Sequence, residues 1–468
     1  MQTQKVLLAD QSYQGRSESA TGLVLENLYM EMNPEGSKYP FTLYNTPGLK
    51  EWIDLNTNEG VNGLQVMDGN LYAYSANDVF KIDSLKNSSN IGNTTGIAGR
   101  LDLCNNGTEI LSINSEGDGF LTTSSSVTQI VDADFPVASA GTFIDGFFVV
   151  SKQDSGEFYK SKLYDGSDWD ALEFATAEEA PDNLVRPYAF NNSLWLFGES
   201  SLEPYYNNGD AAFPFAQIQG AANTTRGCAA KFSVTQEDNG LFFLGNDRIA
   251  YRIQSGYTPS RISTHALESI WQDYDDVSDA FSFIYTQDGH KFWVLTFPSA
   301  NATFVFDLAT NRWHVRKSEF GRWRPNCHAF FAGKHLVGDY ANGKIYELDL
   351  NTYTDDGTLV KRVVQGAALW YNAQRINSKM LFLDVDTGVA NITGQGSDPY
   401  VIMRHSEDGG KTWSNERWSS LGQIGDRLRR AVWRRNGQYR QRLYEFVITD
   451  DIPVRITGCY NGDRIGRF

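Results

Sequence analysis

The chain has 468 residues, 41% of them hydrophobic and 13% aromatic, and a formal net charge of −16 at pH 7. This length predicts two domains, or one repeat domain with an addition, and no apolar run reaches the roughly 20 residues that a membrane-spanning helix needs. The cysteines at positions 104, 228, 327 and 459 lack C-x-x-C spacing, which argues against a zinc site or a disulfide framework.

Residues 1–21 are polar and rich in Gln and Ser, which predicts an exposed amino-terminal arm. Asp10 ends a short apolar run, so this segment is not read as a signal peptide, and synthesis in a cytosol is expected. A strand is predicted over Leu23–Tyr29.

A turn pair followed by an alternating, aromatic-rich strand recurs along the chain. The second turn residue falls at positions 69, 107, 146, 192, 240, 289 and 333, a spacing of 38 to 49 residues. A period of about 40–50 residues built from hairpins is typical of propeller blades, because stacking blades in a ring buries both faces of each sheet. The repeats predict an all-β fold with a six- or seven-bladed β-propeller over residues 22–355, which the strand at Leu23–Tyr29 closes. A row of β-sandwiches is the alternative.

Two segments have helical character within this region. Trp169–Ala177 follows a candidate N-cap at Asp168, and Thr264–Tyr274 is the second candidate.

Residues 356–468 break the repeat and contain longer strands. Examples are Lys379–Asp384, Tyr400–Arg404, Leu443–Thr449 and Val454–Cys459. They predict a separate carboxy-terminal antiparallel β domain.

No motif in the chain has the context that catalysis or metal binding requires. Ser406–Trp413 fits the S-x-D-x-G-x-T-W box of sialidase-like propellers, which builds a hairpin turn away from the catalytic pocket. Asp384 and Asp386 are spaced as in calcium loops, but no EF-type Glu follows, so solvated carboxylates are the simpler interpretation. The six histidines form no H-x-H or H-E-x-x-H pair. We therefore expect no catalytic residue, no metal ligand and no cofactor.

The sharpest feature is a charge contrast near the end of the chain. Residues 424–468 carry a net charge of +5, whereas residues 1–423 carry −21. Asn436-Gly437 predicts a hairpin from which arginines project. These arginines either pair with Glu445, Asp450 and Asp451 or bind an acidic partner, protein or DNA. The candidate partner-binding residues here are Arg427, Arg429, Arg430, Arg434, Arg435, Arg440 and Arg442.

A second cluster of basic and aromatic residues lies at 313–325. Arginine beside aromatic rings suits protein interfaces and nucleic-acid stacking, and a blade rim with surface arginines is the alternative. The candidate residues of this cluster are Arg316, Arg322, Trp323 and Arg324.

Several segments resemble one family, the packaged-DNA stabilisation proteins, or tail accessory factors (tail hubs), of short-tailed bacteriophages. They span the chain in order: Glu26–Glu31 with Tyr44–Leu49, Ser167–Glu178, Gly321–Arg324 with Leu336–Asp339 and Gly343–Asp355, and Ser406–Trp413 with Trp433–Gly437 and Ile448–Asp450. The strongly acidic body departs from the family pattern.

The resemblance implies a non-enzymatic structural protein of the virion tail, assembled in the host cytoplasm. Such a protein joins the portal-adaptor ring to the distal tail parts, retains packaged DNA and forms a ring, commonly a homo-hexamer. Its implied partners are the portal-adaptor ring, the tail needle or plug, and the tail fibre or spike, with packaged DNA a further candidate and no membrane segment.

Two other classes of function stay open at this point. A sialidase-like propeller glycosidase acting on surface glycans requires a convergent pair of carboxyl groups in a pocket. A nucleic-acid-binding module requires binding that weakens steeply with salt.

Overall fold

Nearly all regular structure in the protein is β-strand. The computed structural model describes residues 2–17, 22–96, 99–177, 181–210, 212–218, 225–254, 256–371 and 374–465. Within these ranges the chain forms 45 strands and one α-helix, arranged as a propeller and a two-sheet sandwich. The predicted all-β class, with a propeller and an additional carboxy-terminal antiparallel domain, is confirmed.

Six strands precede the first complete blade. They are β1 (Gln2–Val6), β2 (Tyr13–Gln14), β3 (Gly22–Glu26), β4 (Leu28–Met32), β5 (Phe41–Asn45) and β6 (Gly48–Asp54).

The first five blades are separate antiparallel sheets of four consecutive strands each. Blades 1 to 3 comprise β7 (Val61–Met67), β8 (Asn70–Ser75), β9 (Asp78–Ile82), β10 (Ser88–Asn93), β11 (Asp102–Asn105), β12 (Ile110–Ile113), β13 (Gly119–Thr122), β14 (Val127–Gln129), β15 (Ala138–Ile144), β16 (Phe147–Lys152), β17 (Glu157–Lys162) and β18 (Asp165–Thr176). Blades 4 and 5 comprise β19 (Leu184–Phe190), β20 (Ser193–Gly198), β21 (Leu202–Asn207), β22 (Phe215–Gln217), β23 (Thr235–Glu237), β24 (Gly240–Leu244), β25 (Ala250–Ile253) and β26 (Ser260–Arg261).

The helix α1 (His265–Gln272) links blades 5 and 6. Thr264 caps it by accepting a hydrogen bond from the Leu267 amide. The helix predicted over Thr264–Tyr274 is therefore present. Blade 6 and the strands of blade 7 are β27 (Phe281–Gln287), β28 (His290–Phe297), β29 (Ala302–Asp307), β30 (Arg312–Ser318), β31 (Gly321–Arg322), β32 (Pro325–Phe331), β33 (Lys334–Asp339) and β34 (Lys344–Asp349).

The remaining strands form the end of the propeller and most of the sandwich. They are β35 (Thr354–Asp355), β36 (Thr358–Leu359), β37 (Arg362–Gln365), β38 (Leu369–Trp370), β39 (Ile376–Val385), β40 (Tyr400–Ser406), β41 (Arg417–Ser420), β42 (Ala431–Arg434), β43 (Gln438–Tyr439), β44 (Gln441–Ile448) and β45 (Arg455–Ile465).

The repeated turn pairs mark the first hairpin of each blade. Asp68-Gly69 and Asp288-Gly289, for example, have φ between +46° and +82°, the left-handed conformation that two-residue hairpins need. Seven such hairpins open seven four-stranded units, β32–β34 being completed by β6. The expected blade number of six or seven is therefore met by seven.

The ring is closed by a strand from the amino-terminal region. Strand β6 pairs antiparallel with β34 and completes blade 7. The first strand of that blade, β32, packs against β7 of blade 1. The prediction that Leu23–Tyr29 closes the ring is wrong, because β3 and β4, which hold all of these residues except Asn27, pair in the sandwich instead. The closing strand follows about 20 residues later, at Gly48–Asp54.

The sandwich consists of two sheets that draw strands from both ends of the chain. One has the order β3-β37-β44-β40-β41 and the other β4-β5-β45-β39-β42, with β1 added to β45 and β43 to β39. Residues 2–9 are thus not an exposed arm, since Val6, Leu8 and Ala9 lie in the core between the sheets. Residues 18–21 of the predicted arm lie outside the described residues.

Asn27 connects the two domains. Strand β3 meets β30 of blade 6 through one parallel bridge, Glu26 to Val315. The side-chain Nδ2 of the buried Asn27 donates to the Lys317 and Lys361 carbonyls at 2.9 and 2.8 Å. The sandwich is therefore attached to blade 6.

The segment Trp169–Ala177, predicted as a helix, is a strand. It belongs to β18, the outer strand of blade 3, which pairs with β17 through Phe158 and Ala175. Lys162 reaches Glu173 across this pair at 2.9 Å. The helix propensity of Ala, Leu and Glu is a weak preference, and cross-strand pairing in the blade overrides it.

Candidate functional site

Three of the exposed arginines, Arg427, Arg429 and Arg430, lie on a loop that crosses between the two sheets of the sandwich. Arg434 and Arg435 lie at the end of the strand that follows this loop. Strand β41 is the last strand of one sheet and β42 the last strand of the other. Residues 421–430 connect them along the open side of the sandwich. The hairpin predicted at Asn436-Gly437 is not formed as expected, because β42 pairs with β39 while β44 pairs with β37 and β40 in the opposite sheet.

Buried residues fix both ends of this loop. Leu421, Ala431 and Trp433 lie in the sandwich core, and the Trp433 Nε1 donates to the Arg417 carbonyl at 2.8 Å. The Thr387 hydroxyl donates to the carbonyls of Arg427 and Arg429 at 3.1 and 3.3 Å. The backbone of the loop is therefore held, while its side chains point outward.

The outward side chains combine positive charge with exposed apolar groups. Leu428 is 95% exposed and Ile424 is 59% exposed. We call the surface formed by Ile424, Arg427, Leu428, Arg429, Arg430, Arg434 and Arg435 the arginine edge; all seven residues are exposed.

Few carboxylates neutralise the arginine edge. Arg429 lies 3.4 Å from the Asp426 carboxylate. Within the described ranges, Arg427, Arg430, Arg434 and Arg435 form no salt bridge, and neither does the exposed Arg440 nearby. The predicted pairing with Glu445 is made by Arg404 instead. This surface therefore offers unpaired guanidinium groups to a partner.

Arg442 differs from the other arginines of its segment. It is 2% exposed and its guanidinium donates to the Asn436 carbonyl at 2.6 Å and to Glu407 at 2.5 Å. It also stacks on Tyr439, with the guanidinium carbon 4.4 Å from the ring centre. Its side chain supports the turn from inside and cannot serve as a docking contact.

The second predicted cluster is largely internal. Arg316 and Trp323 are each 1% exposed, and the Arg316 guanidinium lies 3.8 Å over the Trp323 ring. Arg316 donates to the Pro47 carbonyl at 3.0 Å, and burial lowers its pKa. Predicting these two residues as partner contacts was wrong, because Trp323 packs on Phe283 and Tyr285 in the core between blades 6 and 7, and Arg316 is buried over its ring.

Arg322 and Arg324 are partly buried at the boundary between blades 6 and 7. Arg324 Nε donates to Asp339 at 2.6 Å, and the Tyr346 hydroxyl donates to the same carboxylate at 2.8 Å. Arg322 lies 4.1 Å over the ring of Tyr340. The structure thus does not bring the 313–325 cluster together with the arginine edge.

The Ser406–Trp413 box forms the expected turn. The Asp408 carboxylate accepts hydrogen bonds from the Thr412 amide and hydroxyl at 2.9 and 2.6 Å, and these bonds lower the pKa of Asp408. Asp384 pairs with Lys38, and Asp386 lies 3.3 Å from Arg455. No group of three or more His, Cys, Asp or Glu residues suited to a metal ion occurs in the described part of the chain. In the same described residues, the helix α1 is too short and too polar to traverse a bilayer.

Both domains match family models. Residues 11–353 match the model described as bacteriophage P22 Gp10, β-propeller, and residues 361–461 match bacteriophage P22 Gp10, β-sandwich. The chain belongs to the P22 Gp10 family. It is therefore a phage structural protein built on a propeller, and the resemblance inferred from short segments is confirmed.

The other comparisons add no functional information. No curated protein matches the sequence. The WD40 β-propeller domain of Doa1 matches at 10% identity and a TM-score of 0.42, covering 65% of this chain and 96% of that one. BamB from Moraxella catarrhalis matches at 9% identity and a TM-score of 0.39, covering 64% and 97%. These scores carry no argument about function.

Proposed function

We propose that this Gp10-family protein is the tail hub of a short-tailed phage, which joins the portal-adaptor ring to the distal tail parts and retains packaged DNA. The observation that carries the proposal is the match of both domains, in order, over residues 11–461. The segments that resemble tail accessory factors lie in both domains, so the resemblance covers the same two-domain unit.

The surface of the sandwich supports a role in assembly. The arginine edge combines two exposed aliphatic side chains, Ile424 and Leu428, with guanidinium groups of which only Arg429 forms a salt bridge among the described residues. Arginine is enriched where protein interfaces gain most of their binding energy, and its planar fork suits carboxylates. This surface is the proposed contact with neighbouring tail or connector proteins.

The axial cavity of the propeller supports a non-enzymatic role. The cavity measures about 330 Å³, and its described lining includes the carboxylates of Asp102 and Glu237. Asp102 pairs with Arg186 at 3.2 Å, and Glu237 pairs with Lys291 at 2.8 Å. Both carboxyl groups are thus held by cations, which does not favour the glycosidase alternative.

The proposal is tested with the phage's own connector. The purified protein is mixed with the portal-adaptor complex and the products are weighed by native mass spectrometry. We expect a stable complex, and we expect DNA-filled heads that lack this protein to lose their DNA until it is added back. Failure to bind the connector, with no change in DNA retention, would refute the hub role. Turnover of glycans by the pure protein would favour the glycosidase.

A further inference from the structure

Negative charge is concentrated in three of the seven blades. Residues 102–217, which contain blades 2 to 4, hold 19 Asp and Glu against four Lys and Arg. Their net charge of −15 is nearly the whole −16 of the chain. The sandwich is attached to blade 6. In a seven-membered ring, the blades farthest from blade 6 are blades 2 and 3. The acidic blades and the arginine edge are therefore at opposite ends of the molecule.

The acidic blades also expose apolar side chains where blades 2 and 3 meet and on the outer hairpin of blade 3. The Asp132 carboxylate accepts the Trp169 amide at 2.9 Å, and the Phe135 and Trp169 rings lie 5.0 Å apart. These contacts join the loop after blade 2 to β18 of blade 3. We call the surface formed by the exposed Val131, Asp134, Leu163, Tyr164, Asp168 and Leu172 the acidic flank.

The acidic flank and the arginine edge complement each other. Val131 is 90% and Leu172 86% exposed on the flank, as Leu428 is 95% exposed on the edge. Each surface thus has aliphatic groups among charges of mainly one sign, with Asp426 on the edge and Lys162 beside the flank as the exceptions, and the dominant signs are opposite. Protein interfaces combine an apolar centre with complementary charge in this way.

We infer that the arginine edge of one copy of this chain docks on the acidic flank of the next copy. The inference deepens the proposed function, on whose ring it rests. Because the two surfaces differ and lie at opposite ends, the contact is head-to-tail, the kind of contact that closes into rings. A two-fold contact of edge on edge would bring unpaired arginines together, which is unfavourable.

DNA fits these surfaces less well. A duplex would attract the arginines but would leave Ile424 and Leu428 against a phosphate backbone, and the acidic flank would repel it. A second copy satisfies both the charges and the exposed aliphatic groups.

The test uses two full-length charge-reversal variants. One carries Arg434→Glu with Arg435→Glu, and the other Asp134→Lys with Asp168→Lys. All four residues are exposed, and no salt bridge of the described residues includes them. We expect each variant alone to self-associate about 100-fold more weakly than wild type in analytical ultracentrifugation, since like charges then face each other.

Mixing the two variants provides the decisive measurement. In a head-to-tail assembly every contact in the mixture pairs opposite charges, so we expect association to return to near the wild-type level. The matched control is Lys361→Glu with Lys411→Glu, two exposed cations elsewhere in the sandwich, which should associate normally. A mixture that stays dissociated, or wild type that does not self-associate, would overturn the inference.

A chemical cross-link locates the contact independently. Leu172→Cys and Leu428→Cys, mixed and treated with a flexible bismaleimide, should give a heterodimer. Leu85→Cys, at an 80% exposed position on blade 1, should not react with Leu428→Cys. Binding to the portal-adaptor complex is measured on the same variants. If the protein binds the connector but the edge and the flank do not cross-link, only this interface is refuted. If the wild-type protein does not bind the connector, the hub role is refuted. Salt-sensitive binding of duplex DNA through Arg434 and Arg435, with self-association unchanged, would favour DNA as the occupant.

Discussion

Two stretches of this chain combine arginine with aromatic or aliphatic residues, and the fold uses them differently. In blade 6, Arg316 is buried on the ring of Trp323 and bonded to the Pro47 carbonyl. On the sandwich, the arginine edge is exposed and includes one weak ion pair, Arg429 with Asp426. Arginine content alone therefore does not identify a docking surface, because strand pairing decides which guanidinium groups face the core.

The largest effect is expected from Arg316→Ala. This change removes the cation that opposes the buried Asp355, whose pKa burial raises, and leaves the Pro47 carbonyl without its donor. Breaking a buried charge arrangement in this way costs about 3–5 kcal/mol of unfolding free energy. Urea denaturation measures the loss, and Arg427→Ala on the arginine edge is the control. Equal midpoints for the two variants would contradict the internal role of Arg316.

Arg442→Ala should show the same contrast within one segment. The variant loses the hydrogen bond to Asn436, the pair with Glu407 and the stacking on Tyr439, at a cost of about 2–3 kcal/mol. Arg440→Ala, two residues earlier and exposed, should leave the unfolding free energy unchanged. Similar losses in both variants would mean that the segment acts as one structural unit.

The buried histidines His314 and His328 should also make the unfolding free energy depend on pH. Burial and the neighbouring Arg316 lower the pKa of His314 to about 3, and burial lowers that of His328 to about 3. An unfolded histidine has a pKa near 6.5, so below that pH the unfolded chain binds protons that the native state does not, and stability falls. Each residue should cost about 1.5 kcal/mol between pH 6.5 and pH 5.

His290 does not offset this loss. A hydrogen bond to Asp307 raises its pKa, so its contribution is fully present below pH 6.5 and is lost only as the pH rises through its folded value. His314→Gln and His328→Gln should therefore each flatten the acid limb of the stability curve, whereas His290→Gln should leave that limb unchanged. An unaltered slope in His314→Gln would show that this histidine is protonated in the native state.

Much of the propeller follows from local patterns. The turn pairs recur because each blade opens with a tight hairpin, so their period reports the blades even where the strands differ. Thr264 likewise marks the start of α1 through its own hydroxyl. The closing strand and the β3–β5 strands could not be assigned in this way, because pairing across the full length of the chain, as in Arg455 with Tyr44, leaves no local pattern.

The candidate site was predicted in part. Charge counting found the arginine edge, because an exposed loop tolerates a run of like charges. It could not separate Arg442 from Arg440, since that difference depends on the position of Glu407 and Tyr439. The acidic flank was missed although the sequence carries its signal: 19 acids and four bases between residues 102 and 217. A charge count taken blade by blade would have found it.

The smallest effect on stability is expected at the arginine edge itself. Replacing Arg427, Arg429 and Arg430 by Ser removes one exposed ion pair and no buried contact, and such pairs contribute little. The urea midpoint should equal that of wild type while self-association weakens. Trp433→Ala, which removes a core side chain beneath the loop, should lower the midpoint clearly. If the triple variant also had a lowered urea midpoint, the loop would be a structural element like the buried Arg316 and Trp323 of blade 6. The contrast between the two regions would then be lost.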